Sequence, residues 1–431
     1  MNDLLYKLND RPPAIKSLFY SLQWLLIVVP LITVTSNLMA RFLGMDPVSA
    51  TALFQRFLLV VGLVTSIQVL FGHRYPLLDG PSAALLLSVA VLARDGADVV
   101  SGGMLSGGIF LAVLGGFGLV KKVQALFTDR VIGVVLLLIS TTLLPFLFPM
   151  VIGVNADHPH GEPLILFISV LLMLLIVILS HWTKGLTRNL SIFIGIAVGF
   201  VVMVVLGRID LTPAAQLSWI AVPEPFLGPM PRFTVHATVS FILAYVAVLI
   251  NGLGSYFSVA EVVGAEDIGG RIEKGVALTG GGGVIAAAFG VVGTVSYSLS
   301  PGVILVTRVG SRWPVLGCGI FLVILAFFQK AGAILALVPD SVVGAALFVT
   351  LAAQIGVGIS VLVKDGRALS VRDYIVVGLP LLLGNAASML PMSFLNLFGP
   401  GARSLLGNGL IVGIILVILL EHVVLRERNS D

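Results

Sequence analysis

The chain has 431 residues, of which 58% are hydrophobic and 11% charged, with a mean hydropathy of +1.10. Soluble domains carry about 25% charged residues, so this composition excludes an ordinary globular protein and points to a polytopic membrane protein. The net charge of +4 is scattered along the chain, which argues against nucleic-acid binding, and the single cysteine, Cys318, excludes an intramolecular disulfide and a cysteine-rich metal site.

The N-terminus is polar up to Ser17 and carries no cleavable signal pattern. Beyond it, apolar runs approaching the roughly 20 residues needed to cross a bilayer recur to the end. Membrane segments are predicted near 17–40, 57–71, 76–92, 101–120, 131–150, 163–180, 190–207, 233–258, 275–293, 296–308, 314–337, 339–363, 373–390 and 404–424. The expected fold is therefore an all-α polytopic bundle of about 14 segments. The third and tenth are short and broken. The longest polar connections are 151–162, 208–232 and 259–274, and no soluble domain is evident.

Lysine and arginine placement supports this count, because cytoplasmic loops are enriched in both. With both termini inside, only Arg41, Arg56, Arg94, Arg208, Arg232, Lys330 and Arg403 fall outside, leaving 18 of the 25 basic residues on the inner side. A weak internal repeat accompanies it. Asp129-Arg130-Val131-Ile132-Gly133 resembles Asp340-Ser341-Val342-Val343-Gly344, and Ile194-Gly195-Ile196 resembles Val412-Gly413-Ile414. Each pair lies seven segments apart. An odd shift inverts the second half, giving repeats over 1–207 and 233–431 joined by an outer connection, 208–232. Inverted repeats with broken helices at mid-membrane are a transporter plan.

The breaks are Tyr75-Pro76-Leu77-Leu78-Asp79-Gly80-Pro81-Ser82-Ala83-Ala84 and Tyr297-Ser298-Leu299-Ser300-Pro301-Gly302, again seven segments apart. Lipid offers backbone groups no hydrogen-bond partner, so such breaks must be buried in protein or line a cavity. Proline removes a donor, and glycine admits close approach of a ligand. Half-helices beginning at Ser82 and Gly302 would present free N–H groups and a dipole to a polar or anionic ligand. A purely structural kink is the alternative.

The chain resembles the nucleobase–ascorbate transporters over nearly its whole length. Gln23 beside Trp24, then Gly62, Thr65 and Gln68, follow the pattern of its first two spans. Pro76, Gly80 and Ser82 match the third, with Ala83 where an aromatic usually stands. Asn251-Gly252-Leu253-Gly254-Ser255 occupies the span-eight position, Ser300-Pro301-Gly302 with Thr307-Arg308 matches the span-ten signature, and Pro339 with Gly344 matches span twelve. The resemblance implies a core and a gate domain, alternating access, and proton- or sodium-coupled uptake of a uracil- or xanthine-like base, with no other cofactor. It implies a homodimer in the bacterial inner membrane, with both termini cytoplasmic. The substrate-binding residues it implies are Ser82, Ala83, Ala84, Asn251, Ser255, Tyr297, Ser298, Leu299, Ser300 and Gly302.

Two departures bear on chemistry. Asn251 replaces the span-eight acid, and Leu299 and Ser300 replace the polar pair of span ten. A nucleobase presents alternating donors and acceptors, and leucine answers neither. An anion transporter of the same plan and an uncoupled facilitator are accordingly the alternatives. An enzyme is not expected, since no nucleophile–base arrangement stands out. Asp79 is the one carboxylate inside a broken segment and a coupling candidate; the alternative is that it sits near the cytoplasmic end of the third segment, solvated or paired with Arg74. The six histidines lack metal-ligand spacing. Gly280 to Gly283 points to close helix packing, and Trp24, Trp182, Trp219 and Trp313 to interfacial anchors.

Overall fold

The computed structural model describes residues 4–426 except 125, 156–157, 185–186, 188–189, 210–211, 213–216, 224–229, 266–267, 298 and 364–368. Helices dominate. The first half comprises α1 (Ala14–Phe42), α2 (Pro47–Leu70), β1 (Asp79–Pro81), α3 (Ala83–Leu92), α4 (Ala97–Gly116), α5 (Val120–Gln124), α6 (Asp129–Thr141), α7 (Leu144–Val151), α8 (Pro163–Trp182) and α9 (Ser191–Val205). The second comprises α10 (Val235–Val263), α11 (Gly269–Ala288), β2 (Thr294–Ser296), α12 (Ser300–Thr307), α13 (Trp313–Ala326), α14 (Gln329–Ala336), α15 (Asp340–Leu362), α16 (Val371–Ser388), α17 (Met392–Leu395), α18 (Pro400–Leu406) and α19 (Gly409–Leu419).

Local chemistry sets several boundaries. The Asp46 side chain accepts from the N–H groups of Val48 and Ser49 ahead of Pro47, opening α2. Ser370 and Asp373 form a reciprocal capping box on α16. Gly264, at φ 65°, closes α10 in the left-handed conformation. Among the described residues, seven helices, with α6 and α7 taken together, are long and apolar enough to cross a membrane, or eight if α13 and α14 form one span bent by 96°. Each expected segment contains helix, but the segment predicted at 314–337 is bent at Phe327-Phe328. Hydropathy does not encode such a bend, because the sequence stays apolar through it.

The packing recurs after a shift of seven segments. α2 packs on α13 as α11 packs on α4, and α1 on α13 as α10 on α4. α6 packs on α16 as α15 packs on α8, and α8 on α9 as α16 on α19. The closest approaches use glycine in both halves. A Cβ on Gly62 would lie 2.7 Å from the Gly319 carbonyl oxygen, and one on Gly280 2.7 Å from that of Gly108. Small residues let backbones meet where lipid gives no hydrophobic drive to association.

Two groups of helices result, α1–α4 with α10–α14, and α6–α9 with α15–α19. Among the described residues, two ion pairs join them. Arg41 on α1 meets Asp340 of α15 at 2.7 Å, and Asp95, after α3, meets Arg403 of α18 at 2.7 Å. His236 of α10 lies 3.4 Å from the same Asp95. By contrast, the Arg130–Asp373 and Arg372–Glu421 pairs stay inside the second group. Trp24 is 4% exposed and belongs to the core rather than to an interfacial belt; α1 buries that face against its neighbours. Trp182 and Trp219 are exposed.

Candidate substrate and coupling site

The two broken segments meet as an antiparallel pair, with Asp79 opposite Ser296, Gly80 opposite Val295 and Pro81 opposite Thr294. Pairing satisfies the backbone groups that each break frees, as burial at membrane depth requires. Flanking bonds extend it: Tyr297 N–H donates to the Leu78 carbonyl at 2.9 Å, and Ser82 N–H to that of Gly293 at 3.0 Å. Gly80 is needed here. A Cβ would lie 2.4 Å from the Tyr297 ring, whose hydroxyl donates to the Pro81 carbonyl at 3.1 Å.

α3 begins after Ser82, whose Oγ accepts from Leu85 N–H. α12 begins at Ser300, two residues earlier than the Gly302 start expected from sequence. Proline suits the first turn, where its missing N–H costs nothing, so Pro301 lies inside the helix rather than ahead of it.

The expected binding residues divide into two sets. Ala83, Asn251, Tyr297 and Leu299 are partly exposed and Gly302 is exposed. Ser82, Ala84, Ser255 and Ser300 are buried. The buried hydroxyls are occupied with structure. Ser255 Oγ donates toward the carbonyls of Asn251 (3.0 Å) and Ser296 (2.8 Å), and Ser300 Oγ accepts from Leu78 N–H at 3.2 Å. Ser298 lies outside the described residues.

Asp79 is fully buried. Ser296 Oγ donates to its Oδ1 at 2.7 Å, and its Oδ2 lies 3.5 Å from Nε2 of the equally buried His73. Neither Oδ2 nor Nε2 has a hydrogen-bond partner. Because His73 Nδ1 accepts from Tyr75 N–H at 3.0 Å, the ring proton belongs on Nε2, which faces the carboxylate. The expected alternative, a solvated carboxylate beside Arg74, does not hold. Arg74 adopts φ 55°, and its side chain is exposed.

A second polar layer lies alongside. Gln68 Nε2 donates to the Gly275 carbonyl and to Thr279 Oγ1, both at 2.9 Å, and Tyr256 OH lies 3.4 Å from Thr279 Oγ1. A small cavity bounded by Leu111, Val248, Gly252, Tyr256, Thr279 and Ser296 adjoins it. Sequence reasoning missed His73, Ser296, Tyr256 and Thr279. The available signal was a histidine six residues before the buried acid, in the polar run that breaks the chain between α2 and α3.

The family model described as the permease family (Xan_ur_permease) matches residues 15–393. The chain belongs to this family, the nucleobase–ascorbate transporters. It is thus a multi-pass membrane permease and not an enzyme. This permease is 29% identical to a Clostridium perfringens protein provisionally named a purine permease, over 99% of this chain and 94% of the relative. It is 23% identical to the uric acid transporter UacT of Escherichia coli (88% and 80%) and 24% identical to the uracil permease of Escherichia coli (98% and 97%). Among solved structures it shares the fold of the transmembrane domain of a cyanobacterial bicarbonate transporter, BicA, with a TM-score of 0.61 at 15% identity over 93% and 96% of the two chains. It also shares the fold of the murine anion transporter Slc26a9 in the inward-facing state, with a TM-score of 0.65 at 13% identity over 95% and 69%.

Proposed function

We propose that this permease is a secondary active transporter of a uracil- or xanthine-like nucleobase, working by alternating access and driven by protons. The observation that carries this reading is the antiparallel junction of the two broken segments. Of the residues on or near it, Ala83, Asn251, Tyr297 and Leu299 are partly exposed and Gly302 exposed, while Asp79 is buried. The accessible set offers a base an aromatic ring, one amide and the backbone at the half-helix starts. The relatives' names, purine, uric acid and uracil permeases, support the substrate class.

Asp79 is the coupling group in this reading. Its partners are a hydroxyl donor and an imidazole N–H, a set suited to a carboxylate that gains and loses a proton. A sodium ion would need several oxygen acceptors at that place. The repeats, 1–207 and 233–431 about the 208–232 connection, provide the two halves; the group containing α1 and α10 is the core and the group containing α6 and α15 the gate. We place the protein in the bacterial inner membrane as a homodimer with both termini cytoplasmic.

A second reading, transport of a small anion, is favoured by Asn251 and Leu299, which leave no carboxylate on the accessible side. Thermal unfolding of the purified protein with xanthine, uric acid, uracil, bicarbonate, sulfate and chloride separates the two. A shift with a nucleobase and none with the anions supports the first; the reverse pattern overturns it.

A further inference from the structure

Four guanidinium groups, Arg11, Arg74, Arg271 and Arg312, gather where the chain enters α1. The N-terminal segment straps onto the connection between α12 and α13. Leu5 N–H donates to the Arg308 carbonyl (2.8 Å), Gly310 N–H to that of Tyr6 (2.8 Å), and Arg312 N–H to that of Leu8 (3.1 Å). The strap brings Arg11 to 4.3 Å from the centre of the Trp313 ring, which Arg312 also approaches, at 5.1 Å. Arg271 donates to the Arg74 carbonyl at 3.1 Å, and Arg312 to that of Val69 at 3.2 Å.

None of the four meets a carboxylate among the described residues. Arg312 Nε is buried with no hydrogen-bond partner. Burial first, and then the charges of Arg74, Arg271 and Arg11, lower the proton affinity of Arg312 below the usual guanidinium range. Arg74 is held at φ 55°, a left-handed conformation that is strained outside glycine. The fold therefore concentrates positive charge here, and among the described residues no carboxylate pairs with it. Exposed apolar side chains lie close to the cluster in sequence: Ile15 and Phe19 follow Arg11, Phe71 precedes Arg74, and they are 71%, 65% and 62% exposed.

We infer that this cluster binds the phosphate headgroup of an anionic phospholipid, whose acyl chains lie along Ile15, Phe19 and Phe71. Guanidinium groups bind phosphate by charge-assisted hydrogen bonds, and the buried Arg312 Nε is a donor available for one. A free phosphate would use the same donors but not these apolar side chains, so the lipid is the better-fitting source. All four arginines belong to the expected cytoplasmic set, the side on which basic pockets between helices meet anionic headgroups.

The test uses the full-length protein in a neutral detergent, titrated with short-chain phosphatidylglycerol, phosphatidylcholine or inorganic phosphate and followed by thermal unfolding. Phosphatidylglycerol is expected to raise Tm saturably and phosphatidylcholine is not. In Arg11→Gln/Arg74→Gly the midpoint concentration is expected to rise about thirtyfold, at roughly 1 kcal/mol per arginine. Glycine suits φ 55°, and the Arg11 guanidinium carries no hydrogen bond among the described residues, so this variant should fold. Arg11→Gln alone, with about a fivefold rise expected, serves if it does not. Arg94→Gln, the same charge change in the outer set, is expected to leave the midpoint unchanged. An unaltered midpoint in the cluster variants, or an equal response to phosphatidylcholine, overturns the site. An equal response to inorganic phosphate overturns its assignment to a lipid.

Discussion

Replacing Asp79 with asparagine should separate transport from its driving force. The amide is nearly the same size and fits the site. Its oxygen can face His73 Nε2 where Oδ2 stands, 3.5 Å away, while its nitrogen donates to Ser296 Oγ, which now supplies 2.7 Å of contact to Oδ1. A hydroxyl accepts as readily as it donates, so the exchange should cost about 1 kcal/mol of stability, the net value of one hydrogen bond. What disappears is the proposed proton site. One proton per substrate draws about 1.4 kcal/mol from each pH unit and about 2.3 kcal/mol from each 100 mV. A gradient of one unit with 100 mV thus supports roughly 500-fold accumulation, and none without coupling. In proteoliposomes loaded with unlabelled base, Asp79→Asn should retain counterflow of labelled substrate while losing gradient-driven accumulation. Accumulation at the unmodified protein's level in the variant would refute the assignment. Loss of counterflow as well would show that Asp79 acts on binding and not on coupling.

Ser300→Ala should destabilise the protein by about 1–3 kcal/mol, because Leu78 N–H loses its acceptor in a buried site; the thermal midpoint measures this. Arg41→Gln/Arg403→Gln removes the two ion pairs between the helix groups. At about 0.2–1 kcal/mol each for partly exposed pairs, this should shift the ratio of the two access states up to about thirtyfold. Thiol labelling of a cysteine placed at Gly302 reports the shift, in a Cys318→Ala background that removes the buried native thiol. Unchanged labelling would show that these pairs do not hold the groups together. Leu299→Gln should tighten nucleobase binding by roughly tenfold through two added hydrogen bonds of about 0.5–1.5 kcal/mol each, read as a lower half-saturating concentration for uptake.

The sites of the broken segments were legible because proline, glycine and serine interrupt otherwise apolar sequence there, and few side chains can do so at membrane depth. Their pairing follows, since two breaks at matched positions in inverted halves satisfy each other's backbones. The neighbourhood of Asp79 was less legible. The contact between Asp79 and Ser296 spans 217 residues, and no local pattern announces it. Arg74 is close to Asp79 in sequence, yet its backbone is left-handed and its side chain exposed, and the buried place beside Asp79 belongs to His73. Ser255, named by the resemblance at span eight, and Ser300, in the second break, are expected ligand groups; the Ser255 hydroxyl donates to the Asn251 and Ser296 carbonyls and that of Ser300 accepts from Leu78 N–H. The bend between α13 and α14 left no trace in hydropathy because both arms are apolar.

The two halves share a scaffold but not a chemistry. Opposite each other on the strand pair stand a carboxylate, Asp79, and a hydroxyl, Ser296, one from each half. Perfect symmetry would place two carboxylates there. Like charges in so dry a place repel strongly, and one of the two would have to stay protonated throughout the cycle. A carboxylate facing a hydroxyl avoids this. The hydroxyl donates to the charged form and can turn to accept from the protonated one, so both protonation states keep a hydrogen bond. The accessible side diverges in the same way, with Ala83 from one half and Tyr297 and Leu299 from the other. On the reading proposed above, recognition rests mainly on the second half and proton chemistry on the first. On that reading the antiparallel strand pair, with Asp79 opposite Ser296, would link a proton gained at Asp79 to Tyr297, one residue beyond Ser296.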